Sequence, residues 1–161
     1  MLLSRWPVAC TVHGAMALDR SPAVSRIIGA AIAVHRALGP GLVESAYEHA
    51  LAAEFTRRGI RFERQVAIPM RYEDAHVECA YRADFVVEGV VIVEVKSLIR
   101  LLPVHSAQVL TYLRLTRLRY GLLINFNVPR LTRGLRSLIN PKAGPSTLPT
   151  PSTLPTSDSS K

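Results

Sequence analysis

Hydrophobic and polar residues alternate along this chain with two different periods. From Ser25 to Leu38 the apolar positions Ile27, Ala31, Val34 and Leu38 recur at helical spacing, and the run stops at Gly39-Pro40-Gly41. A second helical stretch, Leu42 to Arg58, carries Leu42, Ala46, Leu51 and Phe55 inward and has Gly59 as a C-terminal stop. The pattern then shortens to that of strands: Phe62 to Tyr72, His76 or Val77 to Val87, and Val90 to Lys96. Pro103 opens a third helix, to Thr116, at a position where its missing N–H costs nothing. Arg119 to Phe126 (RYGLLINF) predicts a further buried strand, and Leu131 to Ile139 fits either a strand or a short helix. The order helix, helix, three strands, helix, strand predicts an α/β domain with a mixed β-sheet flanked by helices.

One strand breaks its own apolar rule. In YRADFVVEGVVIVEVK, residues 81–96, Glu94 and Lys96 stand on one face of a strand that is otherwise Val90, Val91, Ile92, Val93 and Val95. Burying an acid and a lysine together is costly unless they pair or bind something. Asp84 on the preceding strand adds a second acid. Two carboxylates suffice for a magnesium ion that keeps several waters, so Asp84 and Glu94 are candidate metal ligands, with manganese as an alternative ion. Such a metal would suit phosphodiester hydrolysis, and Lys96 could deprotonate or position the attacking water or stabilise the developing charge. An ordinary ion pair at a sheet edge is the simpler alternative.

The metal reading imposes a condition on the hairpin. A two-residue turn at Glu88-Gly89 would pair Asp84 with Val93 and send Glu94 to the opposite face. Only an odd-length loop, such as Glu88-Gly89-Val90, or a β-bulge brings Asp84 opposite Glu94.

Flanking helices offer more polar groups. Gln108 and Tyr112, four residues apart, share one face of the third helix. Gln108 could bond a metal-held water or a phosphate, and Tyr112 could stack on or donate to substrate; a capping or core role is the simpler alternative for the pair. In the second helix Glu44 and Tyr47 lie on the face of Leu51, where an acid wants a partner such as Lys96 or a metal-bound water. His105, one turn before Gln108, reads as a structural histidine.

The ends and the charge narrow the function class. Residues 1–21 lack periodicity and read as a poorly ordered arm, leaving 22–140 as the domain. Residues 141–161 repeat PSTLPT at 145–150 and 151–156 and read as a disordered Pro/Ser/Thr-rich tail. Cys10 and Cys79 make neither a zinc pattern nor a disulfide framework, and no membrane span or export signal is evident, so a cytoplasmic protein is expected. The formal charge of +8 and pI of about 10.2 favour a polyanionic partner. Ser97 to Asn140 holds seven arginines and no acid, with Arg100, Arg114 and Arg117 the candidate nucleic-acid contacts. A homo-oligomer is compatible with this sequence.

Taken together, GLVESAY (41–47), RADFVV (82–87), IVEVK (92–96), AQVLTYL (107–113) and GLLINFN (121–127) resemble the GxxExxY protein family of the PD-(D/E)XK nuclease superfamily. The resemblance covers about residues 25–140. It implies a restriction-endonuclease-like core of α-β-β-β-α-β order. It also implies metal-binding acids at Asp84 and Glu94, the catalytic lysine at Lys96, the helix acid at Glu44 and a QxxxY element at Gln108 and Tyr112. The activity implied is that of a magnesium-dependent nuclease, with DNA the expected substrate. A non-catalytic nucleic-acid-binding module and a protein-interaction subunit on the same fold are the alternatives.

Overall fold

A computed structural model describes residues 21–148. Two helices come first, α1 (Pro22–Leu38) and α2 (Glu44–Arg57), then strands β1 (Phe62–Tyr72), β2 (Ala75–Val87) and β3 (Val91–Lys96). Helix α3 (Pro103–Thr116) crosses over to β4 (Tyr120–Asn125), and β5 (Leu135–Ile139) closes the domain. The ambiguous segment 131–139 contains both alternatives, a short 3-10 turn at Leu131–Arg133 and then β5. Helix α1 starts three residues earlier than its apolar spacing predicts, because Pro22 fits the first helical turn.

The five strands lie in the order β1-β2-β3-β4-β5, and only the β3–β4 pair, joined through α3, is parallel. This is the mixed sheet expected of a restriction-endonuclease-like core. One face carries α1 and α2 over Phe85, Val87, Val91, Val93, Leu122 and Ile124. The other carries α3 over Ile68, Val86, Ile92 and Leu123. β3 and β4 are buried on both faces, which is why they read as continuous apolar runs.

The β1–β2 hairpin changes sides along its length. Phe62 and Phe85 pack under α1 and α2, whereas Val66, Ile68 and Ala83 pack under α3. Residues two apart on a strand should share a face, so the ribbon turns over between these sets. The turnover falls at Gln65, whose φ of 51° is left-handed and interrupts the ladder opposite Asp84. Beyond that point β2 pairs with β1 alone, as a two-stranded arm alongside α3.

The expected arm at 1–20 and the tail from 149 lie outside the described residues. Residues 141–148, placed in the tail by their composition, return across the end of α3. Gly144 N–H donates to Arg117 O, Thr147 N–H to Thr116 O, and Leu148 packs at the α3 core. Among the described residues no helix is long and apolar enough to cross a membrane.

Candidate active site

The hairpin between β2 and β3 meets the condition set by its sequence. Phe85 pairs with Val93, Val86 with Ile92 and Val87 with Val91, leaving the three-residue loop Glu88-Gly89-Val90. Glu88 and Gly89 both take left-handed conformations, at φ 52° and 68°. Arg26 and Arg61 hold the Glu88 carboxylate, each at 3.0 Å. The register carried one step further sets Asp84 opposite Glu94.

There the ladder stops, because β2 swings away with its arm. Asp84 replaces the missing rung with its side chain: Oδ2 accepts from Val95 N–H at 2.8 Å, while Oδ1 accepts from Gln65 Nε2 at 3.3 Å. Glu94 is 3% exposed, and its Oε1 accepts from Lys96 Nζ at 2.7 Å. Lys96 Nζ also lies 3.7 Å from Glu44 Oε1, on the first turn of α2. The partner sought by an acid on the Leu51 face is thus the lysine.

The electrostatics are those of too many acids around one cation. Burial, and then the charge of Asp84, push Glu94 up to about 7. Burial also raises Asp84, with Glu48 and Glu44 adding to the effect against the Val95 bond and Lys96. Burial pulls Lys96 down, yet its bond to Glu94 and the charges of Glu94, Glu44 and Asp84 outweigh this, so the lysine is held above its ordinary value. Lys96 is therefore an ammonium in this arrangement, a donor rather than a base.

A divalent cation fits this donor set. Glu94 Oε2 is buried and has no hydrogen-bond partner, which is costly for a carboxylate unless a ligand meets it. Among the described residues no group of three or more His, Cys, Asp or Glu side chains is arranged to hold a metal. Two carboxylates with water completing the shell is the arrangement magnesium accepts.

Supports whose bonds the sequence patterns did not reveal hold these groups in place. Tyr47 is fully buried against Phe126, at 4.6 Å between rings. Its hydroxyl donates to Gly39 O at 2.6 Å and accepts from Leu42 N–H at 3.1 Å, clasping the turn that presents Glu44. Ser97 Oγ donates to Leu42 O, tying that turn to the residue after Lys96. Asn125, buried in β4, latches the following loop: its Oδ1 accepts from Leu98 N–H at 2.9 Å and its Nδ2 donates to Leu98 O at 2.8 Å. Tyr47 on the Glu44 face and an asparagine ending an apolar strand are the signals the sequence offers for these supports.

The third helix contributes less surface than its spacing suggests. Gln108 Nε2 donates to the Tyr112 hydroxyl, but Tyr112 is only 2% exposed, so its ring is closed to stacking. Burial raises its pKa, against the bond from Gln108 that lowers it. His105 Nδ1 accepts from Leu102 N–H at 3.0 Å, the structural role expected.

The arginines divide by position. Arg100 is exposed on the loop after Lys96. Arg114 and Arg117 are exposed at the C-terminal end of α3, which leads to Tyr120 opposite Val91, the end of the sheet away from Lys96. Exposed Arg130 and Arg133 border the near end instead, since Leu135 pairs with Ile124, next to Asn125 and so beside Lys96.

Compared with known proteins, residues 21–138 match the family model of the PD-(D/E)XK nuclease superfamily. No curated protein and no solved structure matches the chain.

Proposed function

The chain belongs to the PD-(D/E)XK nuclease superfamily, and from that premise we propose that it is a magnesium-dependent nuclease that hydrolyses phosphodiester bonds in DNA. Within the superfamily we assign it to the GxxExxY family, on the GLVESAY, RADFVV and IVEVK segments. The observation that carries the reading is Glu94: a buried carboxylate with one oxygen on Lys96 and the other without a partner.

Asp84 and Glu94 would hold the ion, magnesium or in its place manganese. The ion supplies Lewis-acid polarisation of the phosphate and acidifies a bound water. Lys96, kept as an ammonium by three acids, donates to the charge that develops on the phosphate oxygens. Glu44 gives the ammonium a second anchor, and Gln108, its amide bonded to Tyr112, would offer its carbonyl oxygen to a water at the site. Arg100 contacts the backbone next to the cut, with Arg114 and Arg117 reserved for more distant phosphates.

Incubation with single-stranded, duplex and branched DNA in magnesium or manganese tests this. Cleavage lost in Glu94→Ala and Lys96→Ala is the expected result, and no cleavage of any of these substrates overturns it. A pure binding module would keep salt-sensitive DNA affinity after Asp84→Ala and metal removal.

A further inference from the structure

Tyr81 carries an aromatic surface that the site described above does not use. It lies on the β2 arm, three residues before Asp84, and pairs with Ile68 in the part of the hairpin that has turned toward α3. Its ring centroid is 5.6 Å from that of Tyr112, with the planes inclined at 51°. Tyr112 is the buried partner of Gln108, whereas Tyr81 is 39% exposed. Of these two tyrosines, the one that offers an aromatic face to solvent, three residues along β2 from Asp84, is Tyr81. Farther out on the arm, Val77, across from Met70, is 42% exposed and Tyr72 is 69% exposed, so apolar surface continues away from the site.

We propose that the exposed face of Tyr81 is a stacking platform for an unpaired base next to the scissile phosphate, making the preferred substrate a single strand or an unpaired segment. The proposal rests on the nuclease reading of the carboxylate site. Three residues of strand separate Tyr81 from Asp84, about 10 Å, so the stacked base is a neighbour of the phosphate held at the site. In a duplex both faces of each base are occupied by the stack, and an aromatic side chain reaches one only when the base is unpaired or extruded. The net charge of +8 supplies attraction for the backbone, while Asp84 and Glu94 repel phosphate. An uncharged platform holding the base from the side suits that conflict, because stacking needs no phosphate contact.

The test uses the full chain carrying Glu94→Gln, which blocks cleavage, with calcium present. Affinity is measured for a short single-stranded oligodeoxynucleotide containing 2-aminopurine and for a blunt duplex of the same sequence. Tyr81→Leu is expected to weaken single-strand binding about tenfold, while Tyr81→Phe stays within about twofold because a phenyl ring still stacks. Duplex binding is expected to be the same in all three. The 2-aminopurine fluorescence should change on binding to the parent and to the Phe variant but not to the Leu variant, a signal that a mere packing role for Tyr81 would not produce. Unchanged single-strand affinity in Tyr81→Leu overturns the platform. If the same substitution in the otherwise intact chain still cleaves DNA, the nuclease reading survives that failure. If light scattering shows a dimer that Tyr81→Leu dissolves, the surface joins two copies of the chain, and the platform is again overturned.

Discussion

Asp84 Oδ2 takes the hydrogen bond from Val95 N–H that a neighbouring strand would otherwise accept, at 2.8 Å. One carboxylate thus ends the β2–β3 ladder and is also the oxygen donor proposed, with Glu94, to hold the metal. Asp84→Asn separates these duties, since an amide oxygen still accepts the bond without the charge. The Asn variant is expected to stay within about 1 kcal/mol of the parent, relief of Glu94 offsetting the bond from Gln65 that an amide NH2 cannot accept. Asp84→Ala, which leaves the Val95 N–H without its partner, costs about 1–3 kcal/mol. Both should lose magnesium binding by calorimetry. A strongly destabilised Asn variant would show that the charge, not the bond, matters at this position.

Stability should fall as pH rises toward neutrality in the metal-free protein. Glu94 has its pKa pushed up to about 7 from an ordinary 4.5. The folded form therefore keeps a proton that the unfolded chain has released, a contribution full below 4.5 and lost through 7, worth up to about 3 kcal/mol. Glu54 acts in a lower window: its pairing with Arg57 and Arg58 holds it at about 2, so its contribution is present above 4.5 and fades as pH falls through 2. The optimum should be mildly acidic. Glu94→Gln and saturating magnesium should each flatten the upper slope. Denaturant unfolding across a pH series measures it, and stability that rises from pH 5 to 7 contradicts the buried, proton-holding Glu94.

Tyr47→Phe removes both hydroxyl bonds of the Glu44 turn but keeps the stack on Phe126. The expected loss is about 1–3 kcal/mol of stability. A fall in cleavage should persist at temperatures where the variant is fully folded, because Glu44 no longer meets Lys96 squarely. Cleavage at the parental rate would show that Lys96 does not need Glu44.

Gly134→Ala should be severe for its size. A Cβ there would lie 2.1 Å from Asn125 O, with the Val128 side chain at 3.0 Å. Backbone must shift to admit it, at about 1–3 kcal/mol, and the shift falls on the residue that latches Leu98. Faster hydrogen exchange of the Leu98 amide, more than of amides in α1, is the expected signature. Uniform exchange changes would mean that the latch is independent of Gly134.

Much of the architecture could be read from the residues. The two apolar periods locate all three helices and the first four strands. Residues 84, 94 and 96 satisfy a parity argument that turns only on the length of one loop. What could not be read depends on tertiary placement. The ribbon turnover at Gln65 arises from a single left-handed residue in a chemically ordinary strand. The burial of Tyr112 depends on the arm lying against α3, and spacing on one helix cannot report what a distant hairpin covers. Arg114 and Arg117 belong to an arginine-rich stretch, but helix direction carries them toward the far end of the sheet from Lys96.

The Asn125 latch has a consequence for the time at which the site comes into being. Leu98, which Asn125 holds, and the turn at Leu42, which Ser97 holds, both precede β4 in the chain, whereas Asn125 and the Gly134 carbonyl that accepts its N–H come near the end of the domain. A chain growing from the ribosome folds as its domain emerges. It would have Glu44, Asp84, Glu94 and Lys96 outside well before the loop after Lys96 can be fixed. Truncated products ending before β4 would carry Glu44, Asp84, Glu94 and Lys96 without the side chain that fixes the loop after Lys96.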